Sequence, residues 1–239
     1  MARHLLMRLR APLIAFGGEA IDNHGVIRDF PALSMITGLL ANALGWDRGD
    51  DVQHNRLQDR LVMGARLDLE GRRLVDFQTA QLHGDDRGWT TRGIPEGRAG
   101  GAGTYAGPHL RYRHYHADMN VLVAVRLEPE EESPTLSELA AALDKPARPL
   151  FVGRKNSLPS ERVMAGWVET DNILTALQTA EPTYQTPVRA QWPQGEGQLS
   201  EGQDRGLEVC DERNWTSGVH GGWRPVREGS LHPTQRGFA

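Results

Sequence analysis

The chain has 239 residues, a net charge of −4, a hydrophobic fraction of 38% and a charged fraction of 24%. That is enough chain to bury a core in one large domain or two small ones, and no apolar run is long enough to cross a bilayer. The single cysteine, Cys210, excludes an internal disulfide and any multi-cysteine zinc site. The N-terminus begins like a signal peptide, but Arg8 and Arg10 break its apolar run and no small-residue cleavage site follows, so a cytoplasmic location is expected.

In chain order, His4–Arg10 alternates and reads as a first strand, ending at Ala11-Pro12. A polar, glycine-containing loop runs to Arg28. A helix is predicted from Asp29, with Pro31 in its first turn. Leu33, Ile36, Leu39, Leu40, Ala43 and Leu44 form its apolar face, Gly38 is expected to allow close packing on a sheet, and Gly45 sits where a left-handed cap belongs. Leu61–Leu69 and Arg73–Gln78 read as two strands joined by Glu70-Gly71. Met119–Leu127 is a further strand, followed by the acidic linker Glu128–Glu132. Thr135–Leu143 is predicted helical, with Ser133 or Thr135 as its cap. Pro149–Gly153 is expected to form another short strand, Asp171–Thr179 a helix and Gly206–Cys210 a strand-like piece. The order strand, helix, strand, strand, helix, strand predicts an α+β fold, an RRM-like (ferredoxin-like) domain over 1–153 with a long thumb-like insertion at about 80–116. Residues 154–239 are expected to form an irregular, β-rich C-terminal part.

The segment Arg87–His116 carries the most chemistry. It holds five arginines, four aromatic residues, three histidines and seven glycines against a single acid, Glu96. Arginine forks suit phosphates, aromatic faces suit unpaired bases and glycine lets the backbone come close, so single-stranded nucleic acid competes here with a plain solvated loop. His114-x-His116-x-Asp118 places two imidazoles and a carboxylate on one strand face, a metal-like spacing without a fourth ligand. His83-Gly84-Asp85-Asp86 is a similar lure, and no metal or other cofactor is expected. Metal-independent RNA cleavage needs a base and a cation, which His83, Tyr112, His114 and Lys155 could supply. Gly153-Arg154-Lys155-Asn156 reads either as a polar turn or as a second basic site.

Several stretches together resemble a known family. HLLMRLRAPLIAFG, then Arg28, then FPALSMITGLLANALGWDR is similar to the opening of the CRISPR-associated CasD family. GARLDLEGRRLVDFQTAQ, RYRHYHADMNVLVAVRL and PARPLFVGRKNSLPS follow in the same order over roughly residues 3–170, with a loose late match at Arg213-Asn214-Trp215. The helix start keeps Pro31 and Ser34 but has Leu33 and Met35 where the family usually has Lys and Gly, and Ala11 and Phe16 replace the usual Gly and Trp. The resemblance implies a non-catalytic subunit of a type I Cascade complex that grips the 5′ handle of CRISPR RNA and caps the backbone filament. Its implied partners are CasC-type backbone subunits, the CasA-type large subunit and, through the complex, other subunits and target DNA, with no membrane. The competing readings are a metal-independent endoribonuclease that processes repeat RNA and a protein-interaction module. On this reading the RNA-binding residues are Arg28, Ser34, His83, Arg87, Trp89, Arg111, Arg154, Lys155 and Asn156. Arg28 and Ser34 stand where the N–H groups of the first helix are expected to receive a phosphate.

Overall fold

The computed structural model describes residues 1–81, 88–89, 95–96, 108–181 and 187–232. The chain opens with β1 (Ala2–Arg10), β2 (Leu13–Ile14), β3 (Gly17–Ile21) and β4 (His24–Ile27), then α1 (Leu33–Leu44) and α2 (Asp51–Arg60). Next come β5 (Leu61–Leu69), β6 (Arg72–Ala80), a small pair β7 (Gly88–Trp89) and β8 (Pro95–Glu96), β9 (His109–Ala117) and β10 (Asn120–Leu127). The remainder is α3 (Leu136–Asp144), β11 (Met164–Thr170), α4 (Ile173–Thr179), β12 (Val188–Pro193), β13 (Asp204–Cys210) and β14 (Trp223–Leu231). The architecture is mixed α/β, dominated by strands.

One antiparallel sheet of seven strands runs in the order β11-β1-β10-β5-β12-β14-β13. Its central strands are apolar on both faces because both faces are covered. Leu5, Met7, Leu9, Val121, Val123 and Val125 meet α1 and α3, whereas Leu6, Leu122 and Ala124 meet Ile173 and Leu177 of α4 and the buried Trp192. α4 is tied down by Arg66 of β5, a fully buried side chain that pairs with Asp68 at 2.6 Å. It also donates to the carbonyls of Leu177 and of Ala180 (2.8 Å) at the helix C-terminus, where the backbone dipole favours a cation.

A second sheet is ordered β2-β9-β4-β3, with β6 on the other side of β9. β5 and β6 do not pair with each other. β5 pairs with β10 in the first sheet and β6 pairs with β9 in the second, so two long bent strands form one ribbon that passes from sheet to sheet. The bends fall at Gly71 (φ 70°) and Asp118 (φ 59°), and a Cβ on Gly71 would lie 2.3 Å from the Ala117 carbonyl oxygen.

Several expectations are corrected. α1 starts at Leu33, two residues beyond Pro31, because Ala32 is its cap residue; its C-terminus closes on Gly45 (φ 84°) as expected. The supposed loop before Arg28 contains β2, β3 and β4, and residues 109–116 of the expected insertion belong to β9. α2 was not anticipated. Thr135 caps α3 through a capping box with Glu138. Pro149–Gly153 is not a strand; the strand beside β1 is β11, and β12, β14 and β13 extend the same sheet past position 153. Gly38 faces the Trp215 ring, 3.3 Å from where its Cβ would stand, rather than the sheet. No described helix is long and apolar enough to cross a membrane.

Candidate functional site

A cleft of about 750 Å³ opens between the second sheet, the Ser34–Asn42 face of α1 with Arg48 beyond it, the 151–154 turn and the C-terminal loop 211–220. Its construction begins with Asp211. Ala32 offers α1 no side-chain cap, and the helix is capped instead from 178 residues away: the Leu33 N–H donates to Asp211 Oδ2 (3.1 Å) and the Ser34 N–H to the Asp211 carbonyl (3.0 Å). Arg224 grips both carboxylate oxygens of Asp211 at 2.8 Å. The first two N–H groups of α1, expected to receive a phosphate, thus donate to Asp211 in this structure. The carboxylate of one residue satisfies the first and its backbone carbonyl the second.

α2 docks the rest of the loop. Gln58 accepts from the Arg213 N–H (3.2 Å) and donates to its carbonyl (3.0 Å), and Asn55 accepts from the Trp215 N–H (3.0 Å). The Trp215 indole donates to Gln58 at 3.2 Å and lies 4.5 Å from the His54 ring. The Arg213 guanidinium covers the Trp215 ring at 5.0 Å. Burial, then the charge of Arg48, lower the Arg213 pKa from its ordinary value.

The 151–154 turn closes another wall. Gly153 (φ 92°) presses against Ala15, whose carbonyl oxygen would lie 1.8 Å from any added Cβ. The close approach expected of this glycine is thus to the protein's own backbone. Arg154 donates to the carbonyls of His114 (2.9 Å) and Gly25 (3.0 Å) and stands 4.6 Å over the Tyr115 ring. Asn156 donates to the Tyr115 hydroxyl at 3.1 Å.

Of the residues expected from sequence, Arg28, Ser34 and Arg154 line the cleft together. Lys155 is exposed beside Arg154, and Asn156 braces the sheet. Arg111 is exposed on β9, its guanidinium on the Leu110 carbonyl at 2.9 Å, and does not line the cleft. It shares a strand face with Arg113 and Tyr115. His83 and Arg87 lie outside the described residues, as does the side chain of Trp89, whose backbone belongs to β7. Sequence reasoning missed Arg48, Asp211 and His220 as lining residues, and took Arg213 and Trp215 only as a loose family match.

The other chemical candidates separate. Tyr112 stacks on His24 (4.7 Å, 8°), and His114 meets the same ring edge-on at 6.2 Å, so both share one strand face away from the cleft lining. His116 is buried with Nε2 2.9 Å from the Arg28 carbonyl, which takes it out of the His-x-His-x-Asp array. Among the described residues no three metal-capable side chains converge.

Comparison with known proteins places this geometry. The sequence profile of the CRISPR-associated protein family Cas5 matches residues 4–227. The chain belongs to that family. This Cas5-family chain is 25% identical over 189 residues to the CRISPR system Cascade subunit CasD of Escherichia coli (strain K12), covering 76% of this chain and 79% of that protein. A chain of a solved CRISPR RNA-guided surveillance complex shares the fold with a TM-score of 0.66 at 20% identity, covering 98% of this chain and 95% of its own. A crystal structure of a Cas protein matches at 0.64 and 27% identity, covering 96% and 95%.

Proposed function

We propose that the protein is a non-catalytic RNA-binding subunit of a type I Cascade complex, holding the 5′ handle of CRISPR RNA and capping the end of a backbone filament. The observation that carries this reading is the cleft itself: Arg28, Arg48, Arg154 and Arg213 line one concavity, and its one carboxylate among the described residues, Asp211, is neutralised by Arg224. A concave run of guanidiniums in a chain of net charge −4 is a local field for a phosphate backbone. Gly17, Gly18 and Gly38 in the lining keep the walls low enough for a kinked single strand. The similarity to a Cascade subunit supports CasC-type, CasA-type and other Cascade neighbours, with target DNA reached through the complex. We read the strand order β11-β1-β10-β5, with α1 and α3 on one face, as the RRM-like core, and the segment beyond Ala80 and His109 as the thumb.

The test is filter binding of repeat-derived handle RNA, with the RNA then resolved on a denaturing gel. Retention of intact RNA is expected, with Arg28→Ala and Lys155→Ala each lowering the salt slope by roughly 0.7 per lost phosphate contact. Metal-independent cleavage would mean an endoribonuclease, and neither retention nor cleavage would leave only a protein-interaction module.

A further inference from the structure

We propose that Arg48 and Arg213 form a two-armed seat for one phosphate of the bound single-stranded RNA, a seat that rests on the RNA reading above but uses residues outside its expected set. Both line the cleft from separate elements, Arg48 from the turn after α1 and Arg213 from the C-terminal loop. Neither has a carboxylate partner among the described residues. Several arginines elsewhere in the chain do: Arg126 pairs with Glu196, Arg162 with Asp144, Arg227 with Asp204. Two like charges brought to one concavity repel each other, and the burial of one of them intensifies the repulsion. Burial, and then the charge of Arg48, lower the Arg213 pKa. A phosphate between the two forks would relieve the repulsion and match their planar donors.

Arg213 is also held as a binding group is held. Its backbone N–H and carbonyl are both fixed by Gln58, and its guanidinium lies over Trp215. Its Nε is buried with no hydrogen-bond partner among the described residues, as are those of Arg126 and Arg227. Trp215 has Arg213 over its ring and the His54 ring 4.5 Å away, so it positions the arginine instead of stacking a base. Asp211 does not compete for either arginine, because Arg224 and the Leu33 N–H occupy its oxygens.

The experiment uses Arg48, which is exposed and removable without disturbing the core. Handle RNA is titrated across a salt series with the wild type, Arg48→Ala and Arg48→Glu. Arg48→Ala should bind roughly tenfold more weakly, as expected for one charge-assisted contact, with a slope lower by roughly 0.7. Arg48→Glu should bind more weakly still and melt at a higher temperature, because the new carboxylate would pair with Arg213. Wild-type affinity and slope in both variants would overturn the seat while leaving the RNA reading intact. If the wild type itself fails to retain RNA, the RNA reading falls, and the proposed RNA seat with it. Arginine Nε–H resonances titrated with inorganic phosphate then separate the sources. A shift at Arg213 with phosphate and with RNA supports the seat, and a shift with phosphate alone assigns it to another anion and overturns the RNA assignment.

Discussion

Asp211 does two jobs with one carboxylate: it supplies the cap that Ala32 cannot, and it neutralises Arg224 inside the protein. Removing it leaves an orphan N–H at α1 and an unpaired, largely buried guanidinium. Asp211→Ala should therefore cost about 3 kcal/mol or more in urea unfolding, the cost of breaking a buried pair from one side. Asp211→Asn keeps an acceptor for the Leu33 N–H and should cost measurably less. Equal losses in the two variants would show that the ion pair, not the cap, carries the effect. His4 gives a second residue-scale expectation. Burial, then the charge of Arg126, lower its pKa, so folding favours the neutral imidazole. The unfolded chain takes up a proton as pH falls below about 6.5, which favours unfolding; the stability is whole above that pH and is lost as pH drops toward the folded value. Urea midpoints should be lower at pH 5.5 than at pH 7.5, and His4→Leu should flatten that difference.

The elements divide by how openly their residues declare them. β1, α1, β5, β10 and α3 could be read from the sequence because each buries a periodic apolar set, as in Leu5, Met7 and Leu9 or Leu136, Leu139 and Leu143. α2 could not, since Leu57 is its one buried aliphatic residue and His54, Gln58 and Arg60 fill the rest of its inner face. Arg60, fully buried, donates to the carbonyls of Pro129 (2.8 Å) and Pro134 (3.3 Å), so the acidic linker wraps a cation that no periodicity reveals. Pro149–Gly153 looked like a strand because Leu150, Phe151 and Val152 are apolar, but Gly153 turns there to meet Ala15. The site followed the same rule. Arg28, Ser34 and Arg154 were legible through family-like stretches, whereas Asp211 becomes a neighbour of the site only after the chain has closed a 178-residue span to Leu33. His83, Arg87 and the Trp89 side chain remain proposals for the insertion.

At the scale of the whole molecule, the two sheets are joined by continuous strands rather than by a hinge. The β5–β6 and β9–β10 ribbon runs from Leu61↔Leu127 to Ala80↔His109 with one register shift, between Asn120 and Val121 of β10. The cleft inherits this stiffness, since the second sheet forms one of its walls and the helices packed on the first sheet form another. The far end of the ribbon offers a direct test. Replacing residues 82–107 with an Asn-Gly turn should leave the urea unfolding free energy within about 1 kcal/mol of wild type, because loop length enters stability only logarithmically. Handle RNA retention should weaken in the same variant. A large loss of stability would instead mean that the segment supports the fold.

The pairing of Ala80 with His109 has a consequence for the variation this chain can tolerate. The polypeptide departs from the ribbon and returns to it at adjoining positions, so the register of β6 on β9 does not depend on the length of chain between them. Insertions, deletions and wholesale changes of composition can accumulate there without shifting a single strand by one residue, a slip that would turn every side chain of that strand to the opposite face. The fold thus separates a part that must stay in step from a part that is free to be rewritten.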